Sequence, residues 1–163
     1  MAAQLEVRRA RPAEAGVLLE LIRGLAEYEK LAPPDEAAQQ RLVRDIFGER
    51  PRLDAFLVFA GGAAAGYALV LETYSSFLAL PTLYLEDIFV LPEFRGCGAG
   101  KALFRAMVRE ARDRGCGRME WVVLDWNTSA QEFYRRHGAE PLSDWITMRL
   151  TREQLESIGS EPA

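Results

Sequence analysis

Tyr84-Leu85-Glu86-Asp87-Ile88-Phe89-Val90-Leu91-Pro92-Glu93-Phe94-Arg95-Gly96-Cys97-Gly98-Ala99-Gly100-Lys101 is the stretch that decides the fold. Tyr84–Val90 has strand composition and breaks at Pro92. The glycines that follow open straight into an amphipathic helix pattern. A strand that ends in a glycine-rich turn at a helix start aims several unpaired backbone N–H groups at one point, which suits a pyrophosphate. Two nucleotide motifs fail on inspection. A P-loop needs glycine, four residues, then Gly-Lys-Ser/Thr. Gly100-Lys101 fits its end, but Arg95 stands at the first position and Ala102 replaces the hydroxyl that would hold magnesium. The dinucleotide fingerprint needs glycines at relative positions 1, 3 and 6. Gly96 and Gly98 match it, Lys101 does not, and no acidic ribose anchor follows in a βαβ context. What remains is Arg95-x-x-Gly98-x-Gly100.

A second anchor is Leu124-Asp125-Trp126-Asn127, closing a strand, followed by Thr128-Ser129-Ala130-Gln131-Glu132-Phe133-Tyr134. Thr128 and Gln131 have capping-box spacing, so a short helix is expected to start there and stop at Gly138. Asn127 falls at the strand end, where its amide is placed to contact a ligand. Phe133 reads as a core aromatic. Tyr134, two turns into the helix, reads as a functional one.

Around these anchors the chain reads as one domain over residues 1–163, with enough apolar content (49%) for a single core. Leu5–Arg9 is a strand. Pro12 suits a first helical turn, and Val17, Leu18, Leu21, Ile22 and Leu25 recur at helical spacing up to Pro33-Pro34. A second helix is expected from Asp35 to Phe47. Strands follow at Ala55–Ala60, Gly66–Thr73 and Tyr84–Val90. Leu103, Phe104, Met107, Val108 and Ala111 then give a helix one apolar face. Met119–Leu124 is the fifth strand. Pro141–Leu142 and Trp145–Leu150 read as a closing pair of strands, and Thr151 with Gln154 as the capping box of a last helix. The expected class is α/β, a central mixed sheet flanked by helices.

Composition narrows the chemistry. The net charge of −4 argues against nucleic-acid binding. No run approaches the ~20 apolar residues of a membrane span, and Met1–Glu6 lacks a signal-peptide core, so the expected location is cytoplasmic. Two cysteines, Cys97 and Cys116, and one histidine, His137, offer no plausible metal set. Cys97 is a small filler within the loop. His137, at a helix end where a cation suits the dipole, reads as structural.

The Arg95-x-x-Gly98-x-Gly100 loop, with the strand, Asn127 and the Phe133-Tyr134 helix, resembles the GNAT family of N-acetyltransferases over essentially the whole chain. The resemblance implies a fold whose fourth and fifth strands splay apart and admit acetyl-CoA between them. It implies that a backbone amide within Ile88, Phe89 and Val90 takes the thioester carbonyl. Arg95, Gly96, Cys97, Gly98, Ala99, Gly100 and Lys101 would hold the pyrophosphate, and Asn127, Thr128, Ser129 and Ala130 would line the pantetheine arm. A homodimer is implied in the same way.

Leu25-Ala26-Glu27-Tyr28-Glu29-Lys30-Leu31, Tyr84-Leu85-Glu86-Asp87, Leu124-Asp125-Trp126-Asn127 and Phe133-Tyr134 are similar to the diamine acetyltransferase subgroup, which includes spermidine/spermine and thialysine N-acetyltransferases. A primary alkylamine has a pKa of ~10.4, so losing its proton near pH 7 costs about 4.6 kcal/mol. A carboxylate at the strand end is therefore useful. Strand alternation expects Glu86 and Asp87 on opposite faces. The resemblance assigns proton removal to Glu86, through water, and protonation of the departing thiolate to Tyr134. It assigns substrate contact to Tyr28, Glu29, Asp87 and the loop residue Tyr74. Ser75 and Ser76 stand where polyamine-acting relatives can carry an acidic residue, which favours a lysine-like amine such as thialysine over spermine or spermidine. Two other readings stay open from sequence: a non-catalytic acyl-CoA-sensing module, and acetylation of a protein N-terminus or lysine.

Overall fold

Backbone pairing builds the sheet in chain order. The computed structural model describes residues 4–160. In it β1 (Leu5–Arg9), β2 (Asp54–Ala60), β3 (Ala63–Ser75) and β4 (Leu80–Val90) run antiparallel, each beside the next, and β5 (Arg118–Glu120) joins β4 in parallel. This is the mixed sheet expected. Pro12 opens a short 3-10 turn that leads into α1 (Ala15–Glu29), and Asp35 caps α2 (Glu36–Phe47) by accepting the Ala38 amide at 2.8 Å. α3 (Ala99–Asp113) follows the glycine loop.

Each face of the sheet buries its own cluster. Phe56, Val58, Val70, Leu83 and Leu85 pack against Leu103 and Met107 of α3. Leu57, Tyr67, Leu69 and Phe89 pack against Leu18, Leu21 and Ile22 of α1 and Ile46 of α2. Full burial of an aliphatic side chain of this size contributes about 1.5–3 kcal/mol, so both faces hold the sheet firmly.

β4 carries the feature that shapes the site. Leu85 pairs with Val70 and Asp87 with Leu69, so Glu86 is an extra residue with no partner in β3. This is a β-bulge, and it flips the strand's parity. Leu83 and Leu85 face α3 before it, Ile88 and Val90 after it, while Phe89 faces α1. The expectation of strict alternation, with Glu86 and Asp87 on opposite faces, is therefore corrected. A bulge also bends its strand and raises the local twist. The ladder with β5 ends at Tyr84, immediately before the bulge. β4 runs on to Val90 paired only with β3, which is the parting of the fourth and fifth strands. For the same reason the fifth strand is shorter than its apolar run, since Trp121–Leu124 has no ladder to join.

An ionic staple closes the far end of the sheet. Arg114, just after α3, donates to Asp54 (2.6 Å), Glu110 (2.7 Å) and Glu72 (3.2 Å), and Arg9 bridges Asp54 and Glu110 at 2.6 Å each. Removing a half-buried arginine leaves its carboxylates undercompensated. Arg114→Ala should destabilise by about 2 kcal/mol and lower Tm by roughly 4–8 °C, read by thermal and urea unfolding. An unchanged midpoint would show the staple to be idle.

Residues from 123 onward form a second compact unit, described by itself. It holds α4 (Thr128–Arg136) and α5 (Arg152–Gly159). The cap of α4 is Asn127, whose side chain accepts the Ala130 amide at 3.3 Å, rather than the expected Thr128. Gln131 instead donates to the carbonyls of Leu124 and Asp125. The Thr151–Gln154 capping box forms as expected. No strand forms at Pro141–Leu142 or Trp145–Leu150 among the described residues, because an alternating pattern becomes a strand only where a ladder partner is available. No helix is long and apolar enough to cross a membrane among the described residues.

Candidate active site

The glycine loop makes an uncapped helix start. Gly96 and Gly98 adopt φ of 80° and 92°, a region that favours glycine. Gly98 is the N-cap of α3 and supplies no side-chain acceptor. The first helical bond runs from the Ala102 amide to the Gly98 carbonyl at 2.9 Å, so the amides of Ala99, Gly100 and Lys101 have no acceptor within the helix. No acidic residue lies in the first turn. Lys101 stands there instead, against the helix dipole, where it suits a bound anion. A Cβ at Gly100 would meet only Val90 at an ordinary 3.7 Å, so neither strain nor packing demands glycine there. Close approach of a ligand would. These features fit a pyrophosphate.

Arg95 behaves differently from its neighbours. Its Nε donates to the Val90 carbonyl at 3.1 Å, and its guanidinium lies 4.9 Å from the Tyr28 ring centroid and 5.8 Å from that of Phe89. The side chain thus ties the loop to the end of α1. Cys97 Sγ donates to the Phe94 carbonyl at 3.0 Å, in keeping with a filler.

α1 stops immediately after the residues of interest. Lys30 takes a left-handed conformation (φ 58°), and the Leu31 amide bonds the Ala26 carbonyl at 2.9 Å. The helix thus ends four to five residues before the prolines expected to stop it, leaving Tyr28 and Glu29 in its last turn. Tyr28 packs on Phe89 with ring centroids 6.4 Å apart, and Phe89 on Tyr67 at 6.4 Å. Burial raises the Glu29 carboxyl above its usual range. The Asp87 carboxyl is pushed up to about 6 by burial, held back by a hydrogen bond from Tyr67, and pushed further by the charges of Glu86 and Glu29. Glu29, Glu86 and Asp87 therefore share one neighbourhood, and none forms an ion pair or has a cationic partner among the described residues.

Tyr74 is placed elsewhere. It pairs with Pro81 near the β3–β4 turn and is 66% exposed. Val70, opposite Leu85 at the bulge, lies roughly 13 Å back along the strand at 3.3 Å per residue. Tyr67 is the residue the sequence reading passed over. It lies inside the expected Gly66–Thr73 strand, and its hydroxyl's partner lies across the sheet, where no local spacing could reveal it.

In the second unit, Thr128, Ser129 and Ala130 form the first turn of α4, with Asn127 Oδ1 already engaged in its cap. Tyr134 makes an edge contact with Phe133 at 5.5 Å, and burial pushes its phenol up to about 12. His137 closes the helix with Nδ1 2.8 Å from the Phe133 carbonyl.

The model of the acetyltransferase (GNAT) family matches residues 20–139. The chain belongs to the GNAT family. It is 35% identical to a thialysine N-epsilon-acetyltransferase of Bos taurus, over 95% of this chain and 97% of that one. It is 43% identical to an L-ornithine N5-acetyltransferase of Arabidopsis thaliana, over 58% of this chain and 41% of the plant protein. A solved GNAT-fold aminoglycoside N-acetyltransferase in complex with CoA superposes with a TM-score of 0.73 at 25% identity, covering 92% of this chain and 97% of that one. The chain is thus an acyltransferase of the GNAT fold.

Proposed function

We propose that this GNAT protein transfers the acetyl group of acetyl-CoA to the primary amine of a small cationic substrate, a lysine-like compound such as thialysine or a diamine or polyamine. One observation carries the reading. Glu29, Glu86 and Asp87 gather at the end of α1 and the bulge of β4, and none of them forms an ion pair among the described residues, whereas partly buried charges are ordinarily paired. Glu29 is also a carboxylate in the last turn of a helix, where the dipole disfavours it. A bound ammonium answers both. The bovine and plant relatives, named for lysine-like amines, support the same class.

Acetyl-CoA supplies an activated acyl group. The uncapped start of α3, with Gly96–Lys101, would hold its pyrophosphate, and the β4 edge at Ile88–Val90, unpaired on the β5 side, would offer the thioester an amide. Asn127–Ala130 would line its pantetheine arm. Tyr28 packs on the alkyl stem of the amine, Glu29 and Asp87 neutralise its charge, and Glu86 accepts, through water, the proton that nitrogen must lose. Tyr134, kept protonated at neutral pH by its raised pKa, donates to the leaving sulfur. On the family resemblance the protein works as a cytoplasmic homodimer; sedimentation reads the dimer directly.

The test is thiol release from acetyl-CoA with a panel of lysine analogues, short diamines and polyamines. Turnover with at least one member is expected, and silence across the panel would overturn the reading. Tyr134→Phe should lower kcat by about 100-fold while acetyl-CoA binding, followed by calorimetry, stays as in wild type. Wild-type kcat in that variant would remove Tyr134 from the mechanism.

A further inference from the structure

An acid at the β4 bulge is held by a residue that carries no charge. Tyr67 lies on β3 opposite Phe89 and is completely buried (0%). Its hydroxyl donates to Asp87 Oδ2 at 3.0 Å, across the sheet and just past the Glu86 bulge. Asp87 makes no other hydrogen bond among the described residues. No fully buried side-chain oxygen or nitrogen there lacks a partner, so Oδ1 of Asp87, which has none, is not fully buried. One oxygen is held from inside the core, then, and the other keeps some access to solvent in a neighbourhood that Glu29 and Glu86 share.

We infer that Tyr67 is a positioning residue for amine acetylation, fixing Asp87 through Oδ2 so that Oδ1 meets the substrate's ammonium. The inference rests on the functional reading above. A phenylalanine would fill the same core volume between Phe89 and Leu57, so packing alone does not require the hydroxyl. Without it, Asp87 would keep its burial and its acidic neighbours and lose the one group that favours its ionised form. Arg95 stacks on the Tyr28 and Phe89 rings and makes no ion pair with Asp87 among the described residues; the groups that act on Asp87 are Tyr67 from β3, Glu29 from α1 and Glu86 from its own strand. The last two are acids, and Tyr67 is the one donor to Asp87 among the described residues.

The direction of the effect follows. A hydroxyl donated to a carboxylate lowers its pKa, so its removal raises it. In Tyr67→Phe the acid limb of kcat/KM for the amine should move up by about one pH unit, costing about tenfold below the limb, with KM for acetyl-CoA unchanged. A purely structural role would lower Tm and leave the limb in place. Carbon-13 titration of the Asp87 carboxyl reads the same shift without turnover. An unmoved Asp87 titration in folded Tyr67→Phe overturns the inference. Should that variant fail to fold, Asp87→Asn provides the second reading. It should raise KM for the amine about tenfold with KM for acetyl-CoA unchanged, and an unchanged amine KM overturns the inference equally. Failure of the functional reading looks different, with the wild type releasing no thiol from any amine while the Asp87 titration still responds to Tyr67→Phe.

Discussion

Glu86→Gln should lower kcat/KM for the amine by about 100- to 1,000-fold near pH 7, within the range of general-base contributions. The argument begins from the ammonium, whose proton must leave at a cost of about 4.6 kcal/mol before nitrogen can attack. Glu86 is the extra residue of the β4 bulge, exposed, and without a hydrogen bond or ion pair among the described residues. Its side chain does nothing for the fold that can be named. Glutamine keeps its shape and loses its basicity, so stability should change by less than about 0.5 kcal/mol. Acetyl-CoA affinity should hold as well, because the loop amides that would bind it lie on α3. Raising the pH should recover part of the rate, since free amine then becomes available without a base. Steady-state thiol release across pH 6–10, beside calorimetric titration of acetyl-CoA, makes the comparison. Turnover equal to wild type would assign proton removal to another group, with Asp87 next in line.

The largest structural effect is expected at Gly66. A Cβ built there would fall 2.2 Å from the Phe89 carbonyl oxygen and 3.0 Å from the Val90 Cα. Both are backbone atoms and cannot rotate away. Gly66 pairs with Val90 across the β3–β4 ladder, so relief requires β4 to move where Ile88–Val90 would face the thioester. Gly66→Ala should cost about 3 kcal/mol, at the upper end for overpacking, because the clash is with main chain rather than a flexible side chain. Acetyl-CoA affinity should fall with it. Calorimetric unfolding and acetyl-CoA titration test the two together. A variant as stable as wild type, binding normally, would show that β4 has slack at this point.

Glu86 and Gly66 divide the two kinds of information in the chain. The glycine loop, the Asp35 and Thr151 caps, and the apolar faces of α1, α2 and α3 depend on residues within about four positions of one another, and spacing alone reveals them. The resemblance of the loop and of the Tyr28–Glu29, Glu86–Asp87, Asn127 and Tyr134 segments to one family is of the same local kind. The choice of Asn127 over Thr128 as the cap of α4 lay one residue beyond that reach, since both residue types cap well.

What the tertiary structure alone decided is cross-strand. Period-two reasoning put Glu86 and Asp87 on opposite faces. The bulge that overrides it is a property of β3 and β4 together, since one strand carries a residue for which the other has no partner. Trp121–Leu124 and Trp145–Leu150 have strand composition and no ladder, because hydrogen-bond partners come from elsewhere in the chain or not at all. The Tyr67–Asp87 bond spans 20 residues. Sequence by itself determined the family, the glycine loop and the identity of the acids. Only the folded sheet decided how those acids are held, because a carboxylate's pKa and aim are set by whatever packs against it from another strand.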